Sequence, residues 1–291
     1  MNLGWLNAGV TGALALSLLA DPVTAKNLPV VLEPASRWQI DYADEGCALR
    51  RPFESDGTRA TLEILQQAPG AYFRVTVTSG TLGLSGQSAK VRFEPDDSFQ
   101  VPSFLLSGSV GDEVAIAFTD SLQENVGGQP NVYIDWTDEE RDRREGNVVA
   151  LSTRDAFDRD VSLSTGPMHQ PMQALRSCMK DLYATWGVDL DAHRTLSHPA
   201  TLRNGSRIAE RIRYRLMENS TRTSTGVPPV LRVIVGLDGR VTRCRIHFAT
   251  WDAALSEEIC GTVTRESRYD PAKDKAGNPI VSYDTILFSI S

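Results

Sequence analysis

Two hydrophobic periods divide the chain. Between residues 37 and 165, short segments alternate apolar and polar positions: 37–43 (RWQIDYA), 59–65 (RATLEIL), 71–78 (AYFRVTVT), 88–94 (SAKVRFE), 112–120 (DEVAIAFTD) and 160–165 (DVSLST). A period of two, rich in β-branched and aromatic residues, predicts half-buried strands. Asp56-Gly57, Pro69-Gly70, Ser79-Gly80 and Gly127-Gly128 supply turns between them. Short strands at this spacing predict an antiparallel sandwich or barrel-like domain. Within it, 137–147 (TDEERDRREGN) is dominated by charge and reads as a solvated loop or helical turn.

The period then lengthens. Met172, Leu175, Met179, Leu182 and Trp186 recur at spacings of three and four, one apolar stripe of an amphipathic helix from Pro171 to about Trp186. Pro167 and Pro171 suit its start and Gly187 its end. This helix closes an N-terminal β-rich domain over 26–190. Residues 191–227 follow as a linker. It holds a loop (HPATLRNGS), a helix over 207–218 with Ile208, Ile212 and Leu216 on one side, and a polar hinge at 220–226. Arg207, Arg211, Arg213 and Arg215 gather on that helix. They read as a solvated face, or as a docking surface for an acidic partner or lipid head group.

From residue 228 the order of elements is plain. LRVIVG (231–236) is a strand, Asp238-Gly239 a hairpin turn, and VTRCRIHF (241–248) the return strand. Alternation puts Cys244, Ile246 and Phe248 on one face and Arg243, Arg245 and His247 on the outward one. Asp252 caps a helix through about Arg265, with Leu255, Ile259 and Val263 as its stripe. Pro271 stops it, and IVSYDTILFSI (280–290) is a final strand. The fold class predicted is therefore α+β, a β-rich domain with a terminal helix plus a small β-β-α-β unit over 228–291.

The four cysteines show no CxxC and no metal-ligand spacing, and the four histidines are scattered, which argues against zinc. Cys244 faces the helix side of the hairpin and Cys260 flanks the helix stripe, so a bridge between them is natural. It closes a loop of about 17 residues, worth about 3 kcal/mol by chain entropy. Cys178 flanks the earlier helix stripe and can meet Cys47 across a sheet–helix interface; two unrelated buried thiols are the alternative. Disulfides persist in oxidising compartments. Residues 8–20 (AGVTGALALSLLA) form an uncharged apolar run, and Val23 and Ala25 fit small-residue cleavage. We read 1–25 as a signal peptide and the protein as exported to the periplasm. An uncleaved inner-membrane anchor over 3–20 and a buried helix are the other readings of this run.

The last 64 residues resemble the C-terminal domain of TonB-type energy transducers. The likeness rests on the strand into LDGRVT, the helix ending in RESRYDPA, the AGNPI turn and the closing ILFSI strand. The resemblance implies an envelope domain that binds the plug or N-terminal segment of an outer-membrane receptor. In that family a strand pairs with a receptor segment by β-addition. Carried over by position, the partner-binding residues are Tyr283, Asp284, Thr285, Ile286, Leu287 and Phe288. The likeness does not reach the β-rich domain.

Composition closes off other classes. A net charge of −7 excludes a general nucleic-acid binder, which needs a basic surface; contact with membrane stays open. No GxSxG, P-loop, HExxH or GxGxxG pattern occurs, and His169, His193, His198 and His247 read as structural or surface residues. The sequence thus predicts a non-enzymatic binding protein with no cofactor and no metal. A membrane-anchored energy transducer and an enzyme in the N-terminal β domain are the alternatives.

Overall fold

A computed structural model describes residues 28–70, 72–85, 89–95, 98–102, 105–122, 137–218, 230–247 and 251–287. The signal segment 1–25, the Gly127-Gly128 turn, the hinge at 220–226, Phe248 and Phe288 lie outside the described residues. The chain is mixed α+β with strands dominant, built on one large curled sheet and few helices.

The large sheet holds β1 (Val30–Pro34), β2 (Gln39–Ala43), β3 (Gly46–Ser55), β4 (Thr58–Gln66), β5 (Tyr72–Ser79), β6 (Lys90–Glu94), β7 (Leu105–Val110), β8 (Glu113–Ser121), β9 (Ala150–Arg154) and β10 (Val161–Leu163). Its order is β6-β9-β10-β1-β3-β4-β5-β8-β7, with β2 beside the first half of β3. The alternation in β4 and β5 is realised: Ala60, Leu62, Ile64, Phe73, Val75 and Val77 point into the core. Asp56 and Gly57 both take positive φ, the geometry of the tight hairpin joining β3 to β4. β1 is the seam, parallel to β10 and antiparallel to β3. The curl closes Phe93 of β6 onto Phe73 of β5, edge to face at 6.4 Å.

β3 carries no alternation signal because Arg50, Arg51 and Pro52 sit in its middle. Each is accommodated by a neighbour. Arg50 pairs with Asp41 of β2 and Glu63 of β4. Arg51 donates to the Ser36 and Thr165 carbonyls. The Pro52 carbonyl accepts from the Ala35 N–H, so its missing N–H lies on that same side, between the ladders to β2 and β1.

Helix α1 (Asp138–Asn147) occupies the charged stretch. Where the sequence predicts a solvated loop or a helical turn there is a full helix, because Thr137 and Glu140 form a complete capping box. Its last turn is not solvated: Arg144 and Glu145 are buried, and Arg144 Nε donates to the Leu122 carbonyl. Helix α2 (His169–Thr185) lies on β3 and buries Met172, Leu175, Cys178 and Met179. The Cys47–Cys178 disulfide ties it there. A short α3 (Leu190–His193) follows, capped by Asp189.

The C-terminal unit has a second core. β11 (Thr201–Leu202) pairs with β14 (Tyr269–Asp270). Between them come α4 (Gly205–Glu218), β12 (Val230–Val235), β13 (Val241–His247) and α5 (Ala253–Glu266), and β15 (Ser282–Leu287) follows. The sheet order is β13-β12-β15, with the Cys244–Cys260 bridge holding α5 to β13. The linker helix α4 packs here too: Ile208, Ile212 and Leu216 share one core with Leu231, Val233, Leu255 and Ile259. Its arginines face acids of its neighbour, Arg207 and Arg211 against Glu266 and Arg215 against Glu258.

Candidate functional site

Strand β15 brings five of the six predicted partner-binding residues, all but Phe288, into one ladder. Tyr283 sits opposite Ile234, Asp284 opposite Val233, Thr285 opposite Arg232, Ile286 opposite Leu231 and Leu287 opposite Val230. Among the described residues β15 has no second ladder partner, so it is an edge of the small sheet. Its side chains divide by the pleat. Asp284 accepts from the Tyr269 hydroxyl at 3.0 Å, and Ile286 packs on the α4–α5 core. Burial and the Asp284 carboxylate hold the Tyr269 phenol well above its ordinary pKa. Tyr283 turns the other way, edge-on to Tyr183 at 5.1 Å and stacked on His193 at 4.4 Å. Burial lowers the His193 pKa. Thr285 is exposed. Tyr283, Asp284 and Ile286 therefore spend their side chains on their own chain. What faces outward is the main-chain edge and Thr285.

The face of the small sheet that carries Tyr283 is not the outward one expected from alternation. It rests on the β-rich part of the chain. Arg232 of β12 is 2% exposed, although VLRVIV reads as an apolar strand. One guanidinium nitrogen donates to the Glu45 carbonyl at 2.9 Å and the Gln67 carbonyl at 2.6 Å. The other meets the Glu45 carboxylate, and the group lies 4.2 Å from the Trp186 ring centre. Arg243 of β13 reaches the second Glu45 oxygen at 3.0 Å and covers Trp186 at 4.9 Å. Glu45 therefore answers two arginines from adjacent strands.

His247 is corrected by the same face. Alternation placed it outward; it is 4% exposed, because outward from α5 means inward toward the large sheet, where Arg74 lies near it. Burial, helped by Arg232, Arg245 and Arg74, pushes its pKa down to about 3. It is neutral at neutral pH.

Beside this contact lies a groove of about 750 Å³. Its lining brings together acids (Asp44, Glu45 and Asp181), aromatics (Tyr42 and Trp186) and Arg243 and Arg245 of β13. Cys47 and Cys178, also in its lining, are bonded to each other. Among the described residues its lining contains no histidine, serine or free thiol, and Thr185 donates its hydroxyl hydrogen to the Leu182 carbonyl. The chemistry available there is charge and aromatic surface, which suits recognition. Sequence reasoning missed Glu45, Arg232 and Trp186 as a set. The one available signal was the lone charge in LRVIV.

No family model, no curated protein and no solved structure matches the chain. No described helix is long and apolar enough to cross a membrane. The two disulfides are compatible with an exported protein.

Proposed function

We propose that this is an exported envelope protein whose C-terminal unit binds a protein partner by strand addition along β15. The observation that carries the reading is the one-sided pairing of β15: β12 holds one edge, and the other edge has no ladder partner among the described residues. Strand addition draws its affinity from main-chain hydrogen bonds. A strand whose side chains are already packed is suited to it, because its backbone is ordered before the partner arrives and less entropy is lost on binding. Tyr283 against Tyr183 and Asp284 against Tyr269 supply that order. The likeness of 228–291 to TonB C-terminal domains supports the same edge and implies an outer-membrane receptor segment as partner.

Site-specific photo-cross-linking on the full chain tests this. A photoreactive residue replacing Thr285 is compared with one replacing Ser107, which is exposed on β7, another edge strand. We expect a discrete envelope-protein adduct from position 285 and none from 107. Adducts of equal yield at both edges, or none at 285, would sink the reading.

A further inference from the structure

We propose that Asp142, Glu145 and His169 form a binding site for one zinc-class divalent ion, which pins the end of α1 to the start of α2. The spacing of the sequence hides this site. Asp142 and Glu145 lie in a stretch that reads as solvated charge, and His169 lies in a Pro-flanked segment 24 residues beyond Glu145. The fold joins them. Asp142 and Glu145 are three apart on α1 and share a face. The Met168 N–H donates to the Glu145 carbonyl at 2.8 Å, which sets His169 directly against them. One ligand atom from each residue lies within 4.8 Å of the others.

Two unsatisfied atoms point to an ion. The Glu145 side chain is 4% exposed, and its Oε2 is buried with no hydrogen-bond partner. The His169 Nδ1 is buried with none either. They face each other at 3.9 Å, and Asp142 Oδ1 lies 3.6 Å from the same nitrogen. Those gaps are too wide for hydrogen bonds. They approach the separation of about 3.4 Å between two ligands of a tetrahedral ion with bonds near 2.1 Å. Buried polar atoms left without partners are costly, so a site that leaves two of them converging is incomplete without an occupant.

The surroundings define which occupant. Arg176, two turns along α2 from His169, holds the other Glu145 oxygen. That contact orients Oε2 toward the gap, the role outer hydrogen bonds play for ligating carboxylates. Arg141 donates to that same Asp142 Oδ1 at 3.3 Å and Arg176 lies 3.9 Å from it, contacts an ion would share or displace. Two guanidinium groups leave little surplus negative charge, which disfavours calcium or magnesium held by oxygen charge alone. An imidazole nitrogen with carboxylate oxygens favours zinc and its transition-metal neighbours. The Asp142 and His169 side chains are partly exposed.

The test uses the full, disulfide-bonded chain, stripped of metal and dialysed against zinc chloride, with bound zinc counted by mass spectrometry. We expect one ion per chain, and at least about a tenfold loss of affinity in both His169→Ala and Glu145→Gln, ligand losses being no milder than outer-shell ones. His198→Ala, at an exposed histidine outside the cluster, is the control and keeps full binding. Cobalt(II) gives a second readout: visible absorption bands in the wild type that vanish in His169→Ala while its circular dichroism stays native. No saturable zinc uptake, uptake unchanged in His169→Ala, or equal binding of calcium would overturn the proposal.

Discussion

Glu45 and Arg232, 187 residues apart, close on each other in the contact between the β-rich domain and the small sheet. The guanidinium is buried, and it takes the Glu45 carboxylate, two backbone carbonyls and the Trp186 face as its surroundings. Burial draws its pKa below the ordinary arginine value, and Tyr183 and Glu45 counter that. A buried charge of this kind is tolerated only with its partners in place.

Removing the partner exposes the cost. Glu45→Ala leaves Arg232 buried with two carbonyls and aromatic rings but no counter-charge, and we expect a loss of about 3 kcal/mol in urea unfolding. Glu45→Gln, which keeps an acceptor, costs less. A Glu45→Ala effect no larger than that of Glu257→Ala, an exposed site on α5, would contradict the role assigned to the pair.

His247 makes stability depend on pH. Its folded pKa of about 3 lies below the ordinary 6.5, so the unfolded chain binds the extra proton between those values. Its contribution is complete above pH 6.5 and is lost as pH falls from there toward 3. We expect melting temperatures to fall over that window, and to fall less in His247→Asn after the shared carboxylate effects are subtracted. Identical slopes in both proteins would refute the assignment.

The disulfides differ in reach. Cys244–Cys260 spans 16 residues and Cys47–Cys178 spans 131. Chain entropy assigns them about 3 and about 5 kcal/mol respectively. Paired Cys→Ser variants, unfolded in urea, are expected to show the larger loss for Cys47–Cys178. The reverse order would mean that the reduced chain keeps structure around β3 and α2.

Gly239 tests the hairpin. Its φ is +75°, and a Cβ there would stand 2.1 Å from the Tyr269 carbonyl oxygen. The Tyr269 N–H also donates to the Gly239 carbonyl at 3.0 Å. Gly239→Ala is expected to cost more than the roughly 1 kcal/mol of left-handed backbone strain alone, because β14 must move as well. Retention of wild-type stability by this variant would contradict the close approach.

Legibility in the sequence tracked the distance over which each element is determined. The hairpin at Asp238-Gly239, the Asp252 cap, the α2 stripe and the Cys244–Cys260 pair were readable, since each rests on a local pattern, whereas Cys47–Cys178, 131 residues apart, was one of two readings until the sheet–helix packing joined it. β3 was not readable. Its Arg50, Arg51 and Pro52 are satisfied by Asp41, Glu63, Ser36, Thr165 and Ala35, and no window centred on β3 carries all of those partners. α1 was half readable: the Thr137–Glu140 capping box was present in the letters, but nothing local marked Arg144 and Glu145 for burial.

The candidate sites divide in the same way. A strand over 280–290 follows from alternation, and β15 pairs with β12 there; its use as a partner edge is what the TonB-type resemblance implies. The direction in which its sheet faces does not follow. Alternation separates the two faces of β13 without saying which meets solvent. Only the docking of the small sheet on Glu45, Tyr183 and Trp186 turned Arg232 and His247 inward. Likewise, only the packing of α1 on α2 set Glu145 against His169. By itself the sequence determined periods, caps, turns and the short Cys244–Cys260 pairing, because these are energies of neighbouring residues. The tertiary structure decided which charges are buried and which partners they meet, because desolvation depends on everything that surrounds a group.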